Sequence, residues 1–271
     1  MTLATLSDVL DPRSGRAVAG LVVLGWEDAR AFVDAAQAAQ RPVILQCGPG
    51  CRAYTPLPIM AAMFRTLAEA ASVPVVAHLD HGESAAICAQ ALDLGFTSVM
   101  YDGSALPLAQ NIAETERVVA LARRAGASVE AELGMVGYAA GAASTPTDPA
   151  QAAALAATGI DALAISIGNV HLMQAHDAVI DWPALRAIEA AVPGLPLVLH
   201  GGSGIAAAER KRLAQSSQVC KFNIGTELRQ TFGAALRASV LRDPTRFDRI
   251  ALLSETIAPL RDAAKKLIEG L

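Results

Sequence analysis

Aromatic residues make up only 4% of this 271-residue chain and charged residues only 18%. The few charges nearly cancel, 22 basic against 26 acidic, and no Lys/Arg run stands out, which argues against nucleic acid as a partner. The longest apolar stretch, around Val18 to Trp26, is far too short to span a bilayer, so no membrane is expected either. Residues Met1 to Val9 lack a basic start, an apolar core and a small-residue cleavage site, so no secretory signal is read there and the cytoplasm is the expected location. Cysteine is sparse and scattered, at Cys47, Cys51, Cys88 and Cys220. Cys47 and Cys51 look like half of a metal site, but no second pair follows at zinc-finger spacing, and all four read as reduced thiols. No Gly-x-Gly-x-x-Gly turn follows the first strand, which weighs against an open doubly wound sheet.

What is abundant is small apolar material, with 53% hydrophobic residues, mostly Ala, Leu and Val. That is enough for a large core and far from the composition of a disordered chain. Short apolar runs alternate with Ala-rich amphipathic segments. The runs predict strands near Ala19–Leu24, Val43–Gln46, Val75–Leu79, Ser98–Tyr101, Ser128–Glu132, Ala162–Ile167, Leu197–His200 and Lys221–Ile224. None alternates strictly, as expected of parallel strands buried on both faces. Asp148-Pro149 opens one helix and Gly159 closes it; Pro107–Ala125 is another, stopped by Gly126. About thirty residues from Asp243 onward read as extra helix. Eight strand–helix units predict an α/β fold, a single (β/α)₈ TIM barrel over residues 1–271 with extra C-terminal helices.

In such a barrel the functional groups stand at the C-terminal strand ends. The third strand ends His78-Leu79-Asp80-His81-Gly82 and the fifth Glu130-Ala131-Glu132. The sixth runs into Gly168-Asn169-Val170-His171, the seventh into His200-Gly201-Gly202-Ser203-Gly204, and the eighth into Asn223-Ile224-Gly225-Thr226-Glu227. His81, His171 and His200 come from different strands and converge on the mouth, an arrangement suited to a catalytic metal with an open position. Three imidazoles favour zinc over magnesium. His78 is read as orienting a ligand and His176 as an exposed loop residue. Asp80 is placed to exchange a proton with a substrate hydroxyl, or to accept a hydrogen bond from a histidine. Glu132 is an alternative ligand, a group behind the ligands or a structural ion-pair member. Glycines 201, 202 and 225 with the hydroxyls of Ser203 and Thr226 suit a phosphate.

These segments resemble the class II fructose-bisphosphate and tagatose-bisphosphate aldolases. The likeness rests on Ala77-His-Leu-Asp-His-Gly82, Gly95-Phe-Thr-Ser-Val-Met-Tyr-Asp-Gly-Ser104, Ser128-Val-Glu-Ala-Glu-Leu-Gly134, Thr147-Asp-Pro149, Thr158-Gly-Ile-Asp-Ala-Leu-Ala164, Leu199-His-Gly-Gly-Ser-Gly204 and Lys221-Phe-Asn-Ile-Gly-Thr-Glu-Leu228, in family order. The resemblance implies zinc on His81, His171 and His200, admits a monovalent cation, and makes Asp80 and Asn223 catalytic. It implies that Gly201, Ser203, Asn223 and Thr226 grip a dihydroxyacetone-phosphate half. It also implies a phosphorylated sugar as ligand and a homodimer or homotetramer.

Three departures stand out. The family's Asn at the end of the first strand is absent from Val22-Val23-Leu24-Gly25-Trp26. The loop Met135–Pro146 holds no carboxylate where the family carries a catalytic Glu; Tyr138 is the substitute considered. The glycine after the second metal histidine is Leu172. An aldolase acting on a different phosphorylated ketose is the leading expectation. A catalytically weak metal- and phosphosugar-binding homologue is the second, and metal-assisted hydrolysis or isomerisation the third.

Overall fold

The structure, a computed structural model, describes residues 2–139, 141 and 143–271. Eight parallel strands close into a barrel: β2 (Val18–Val22), β3 (Val43–Cys47), β4 (Val75–Gly82), β5 (Ser98–Tyr101), β6 (Ser128–Leu133), β7 (Ala162–Ile165), β8 (Leu197–Leu199) and β9 (Val219–Ile224). Each pairs with its neighbour in sequence, and β2 pairs with β9 to shut the ring. The first helices of the outer layer are α2 (Trp26–Ala39), α4 (Leu57–Ala70), α5 (Ala85–Asp93) and α6 (Leu108–Ala125). The layer continues with α7 (Pro149–Ala156), α8 (Trp182–Ala191), α9 (Ala207–Ser216) and α10 (Thr226–Arg242). One further helix, α11 (Arg249–Glu269), follows the barrel and packs on α2 and α10. Among the described residues no helix is long and apolar enough to cross a membrane.

Several helix ends follow the local chemistry expected of them. Asp148 accepts from the Gln151 N–H and Pro149 occupies the first turn of α7, while Gly126 takes the left-handed conformation that ends α6. Three short elements were not foreseen: β1 (Leu3–Ala4), α1 (Leu6–Val9) and α3 (Pro49–Tyr54). β1 pairs with β4 below the barrel, and α1 presses Leu6 into its lower opening. There Leu6 and Leu10 meet Ile44, Val76, Met100, Ala162, Ala164 and Val198, an apolar plug at the floor of the interior.

Above that plug the inward-facing rows turn polar. Val76 is followed two residues on by His78 and then Asp80; Val198 is followed by His200. Glu130 and Glu132 on β6, and Lys221 and Asn223 on β9, complete the change, and all are buried. All four cysteines are buried and reduced.

Candidate active site at the C-terminal mouth of the barrel

At the base of the site Lys221 Nζ donates to Glu130 Oε2 at 2.5 Å and to His78 Nε2 at 3.4 Å. Glu130 Oε1 accepts from His200 Nε2 at 3.1 Å, and His78 Nδ1 donates to Ser98 Oγ at 2.8 Å. His78 thus acts on the mouth through Lys221 and Glu130, not by touching another histidine. Glu130 and Lys221 had not been singled out as partners from the sequence. Their signal was there: a polar residue two places before another in a strand otherwise apolar.

With His200 Nε2 committed to Glu130, its Nδ1 faces the mouth, 3.0 Å from His81 Nε2. His81 Nδ1 in turn donates to Asp102 Oδ2 at 2.7 Å. His171 joins them, its ring centroid 5.4 Å from that of His81 and 5.5 Å from that of His200. Each of the three offers a ring nitrogen within 4.8 Å of the others, so the expected trio is brought together. Burial and the charge of His81 hold His171 down at about 4, and burial keeps His200 well below the usual imidazole range. His81 is opposite: burial works against its charge, but Asp80, Asp102 and Glu132 outweigh it and hold it up at about 10.

The residues present fit a divalent metal. The 3.0 Å contact between His81 and His200 joins two nitrogens whose outer partners are already fixed, so only a proton or a cation can sit between them. Glu132 Oε2 is buried with no hydrogen-bond partner, 3.7 Å from His81 Nδ1 and 3.8 Å from His200 Nδ1. Burial and the nearby Asp102 carboxylate raise Glu132 to about 8. An orphaned carboxylate aimed at imidazoles is what a cation would satisfy. Asp102, His81 and Glu132 form a second such group, and Asp102 was quoted in the sequence without a role.

Asp80 and His81 are consecutive, yet both reach the mouth. In a regular strand they would face opposite sides. The register of β4 against β5 shifts between Leu79 and Gly82, and His81 has a left-handed φ of 48°. This bulge re-aims both side chains. Arg52 of α3 clamps it: one guanidinium nitrogen donates to the Asp80 carbonyl at 3.0 Å, the other to the His81 carbonyl at 2.8 Å, and Arg52 also pairs with Glu83. The Asp80 carboxylate accepts from the amides of Gln46 at 3.0 Å and Asn223 at 3.2 Å. Asp80 makes no hydrogen bond to a histidine among the described residues, so of its two expected roles the accepting one is filled by Asp102.

A cavity of about 500 Å³ opens over these groups, lined by Asp80, His81, His171, Gly201, Ser203, Asn223, Gly225 and Thr226 among others. Gly202, expected with the phosphate group, does not line it; that glycine is buried, and its carbonyl accepts from Arg210. Ser203 Oγ accepts from the Gly225 and Glu227 N–H groups at 3.3 Å, tying the two glycine turns together. Gly201 has φ 65°, and a Cβ there would fall 2.1 Å from the Val170 carbonyl oxygen, so no other residue fits. His176 is exposed, as expected, and donates to the Ser203 carbonyl.

Tyr138 lies over the mouth, its ring stacked on His171 at 5.0 Å. Burial and the charges of Asp102 and Glu132 raise its phenol, so it stays protonated and suits a donor better than the base considered for it. Ala140 and Ala142 of the same loop lie outside the described residues.

Fold and site together define an eight-stranded α/β barrel with a buried carboxylate, Asp80, beside a candidate metal centre. The family model for class II fructose-bisphosphate aldolase matches residues 8–271. The YdjI aldolase from Escherichia coli K12 is 32% identical, with 96% of this chain and 97% of that one covered and a TM-score of 0.81. A putative fructose-1,6-biphosphate aldolase from Coccidioides immitis is 26% identical over 96% and 93%, TM-score 0.81. The fructose-bisphosphate aldolase from Campylobacter jejuni, 22% identical over 96% and 91% with TM-score 0.80, shares the fold. The chain belongs to the class II fructose-bisphosphate aldolase family.

Proposed function

We propose that the chain is a zinc-dependent aldolase that reversibly cleaves a phosphorylated ketose to dihydroxyacetone phosphate, or a similar ketone, and an aldehyde. The observation that carries this is the placement of Asp80 in one cavity with His81 and His171, the third converging imidazole, His200, being buried beneath them. A zinc ion held by His81, His171 and His200, with Glu132 in reserve, supplies Lewis acidity at the ketone carbonyl. Asp80 takes the proton of the hydroxyl next to the scissile bond, and the amides of Gln46 and Asn223 keep its carboxylate aimed at that hydroxyl. As the carbon–carbon bond breaks, its electron pair stays with the ketone half and the aldehyde leaves. Tyr138, which lines the cavity and stacks on His171, returns a proton to that carbon. The turns at 201–204 and 225–227 hold the phosphate.

The absence of a carboxylate from the loop 135–146 favours one second reading, a homologue that binds metal and phosphosugar but turns over weakly. A panel of phosphorylated ketoses, assayed for release of dihydroxyacetone phosphate, separates the two. Chelator-sensitive release, lowered at least about a hundredfold in Asp80→Asn, supports the aldolase. Binding without release supports the homologue. The reading includes a homodimer or homotetramer; Leu241, Phe247 and Ile250, exposed where α10 gives way to α11, offer apolar area for a second copy. Sedimentation velocity reads the mass.

A further inference from the structure

With the histidines and the phosphate turns assigned, one side of the cavity is left for the aldehyde half. It is made by Val22 and Leu24 at the end of β2, and by Pro49 and Cys51 just past the end of β3. β3 pairs directly with β4, so this wall borders Asp80; a Cβ on Gly48 would lie 3.3 Å from Asp80 Oδ2. A Cβ on Gly225 would lie 3.1 Å from Val22 Cγ2, so Val22 closes the wall against the phosphate turn. Leu24 is 38% exposed despite being apolar.

We infer that the aldehyde half is aliphatic next to its reacting carbonyl, not polyhydroxylated, and lies against Val22, Leu24, Pro49 and Cys51. This rests on the aldolase reading. A sugar hydroxyl moved onto this wall gives up water and finds no side-chain acceptor there, whereas an alkyl chain loses only unfavourable hydration. The nearest amides turn away from the wall: the NH2 groups of Gln46 and Asn223 donate to Asp80, and their oxygens, which accept no hydrogen bond, are buried around Gly20 inside the barrel. Arg229, the one Arg or Lys among the described residues lining the cavity, makes no side-chain hydrogen bond or ion pair there. It can hold a distal anion, but it offers no acceptor to a hydroxyl. The end of β2 is also where this chain departs from the aldolases it resembles, with Val22 and Leu24 in a segment that lacks their Asn.

In the synthetic direction, C3 of dihydroxyacetone phosphate gives up to the Tyr138 phenolate the proton that Tyr138 returns in cleavage, and bonds to the aldehyde carbon. The carbonyl pair of the aldehyde then takes a proton from Asp80, leaving a ketose 1-phosphate with a deoxygenated tail. The test uses the full chain, zinc-loaded, with saturating dihydroxyacetone phosphate and uncharged aldehydes of equal length, which keeps Arg229 out of the comparison. Butanal and propanal are expected to exceed erythrose and glyceraldehyde in kcat/KM by about tenfold or more, the scale of one unpaired buried hydroxyl. Val22→Thr keeps the shape and adds a hydroxyl; Leu24→Asn adds an amide. Each is expected to narrow the ratio about threefold or more, through the KM of the aldehyde. Equal or reversed preference, or a ratio untouched by Val22→Thr, overturns the inference and leaves the aldolase standing. No condensation with any aldehyde, with zinc bound, overturns the aldolase reading and this inference with it.

Discussion

Lys221 and Glu130 meet at 2.5 Å with neither side chain reached by solvent. A buried pair of this kind depends on both members, because the survivor of a deletion is left as an uncompensated charge. Lys221→Met is therefore expected to cost roughly 3–5 kcal/mol, read by urea unfolding, with Glu130 and through it His200 losing their anchor. A loss below about 1 kcal/mol would show that the pair does not hold the base of the site. Arg52 acts at the same scale on the bulge of β4. Arg52→Ala is expected to weaken zinc binding about 10–100-fold, as loss of a group that orients a ligand does. Arg52→Lys, which cannot fork to both carbonyls, should fall between; competition with a chromophoric chelator measures both. The sequence shows why these partners were missed. His81, His171 and His200 are legible from their strand ends, but Arg52 lies 29 residues from His81 on a short helix that no periodicity announced.

At the scale of elements, the eight barrel strands were legible because each is a short apolar run between turn residues. Their ends were less so. The strand read to stop at Leu79 continues to Gly82, since the bulge lets a polar segment keep pairing with β5. The strand read from Lys221 begins at Val219, and the one read to Ile167 stops at Ile165. β1 and α1 escaped notice because their hydrophobic partners, Val75 and the barrel floor, are remote in sequence. The turn after β8 carries its own prediction. Gly201→Ala drives a Cβ into the Val170 carbonyl and strains a left-handed residue, so the turn at 201–204 must move. The Km for a phosphorylated ketose should rise about tenfold or more while zinc affinity changes little. A variant with unchanged KM would remove this turn from the phosphate site.

At the scale of the molecule, every group placed in the site stands at one end of one barrel, and the apolar plug of Leu6, Leu10 and their neighbours closes the other. That division is what makes the site readable in the sequence: polar residues in strands otherwise built to be buried have few other reasons to be there. The central claim, metal-assisted chemistry at C3 of a dihydroxyacetone-phosphate half, can be tested without knowing the aldehyde. Dihydroxyacetone phosphate is incubated with the zinc-loaded protein in deuterated water and its C3 protons are followed by NMR. The account predicts exchange of one of the two protons, abolished by chelator and restored by zinc. No exchange with zinc bound, or exchange indifferent to chelator, would contradict it.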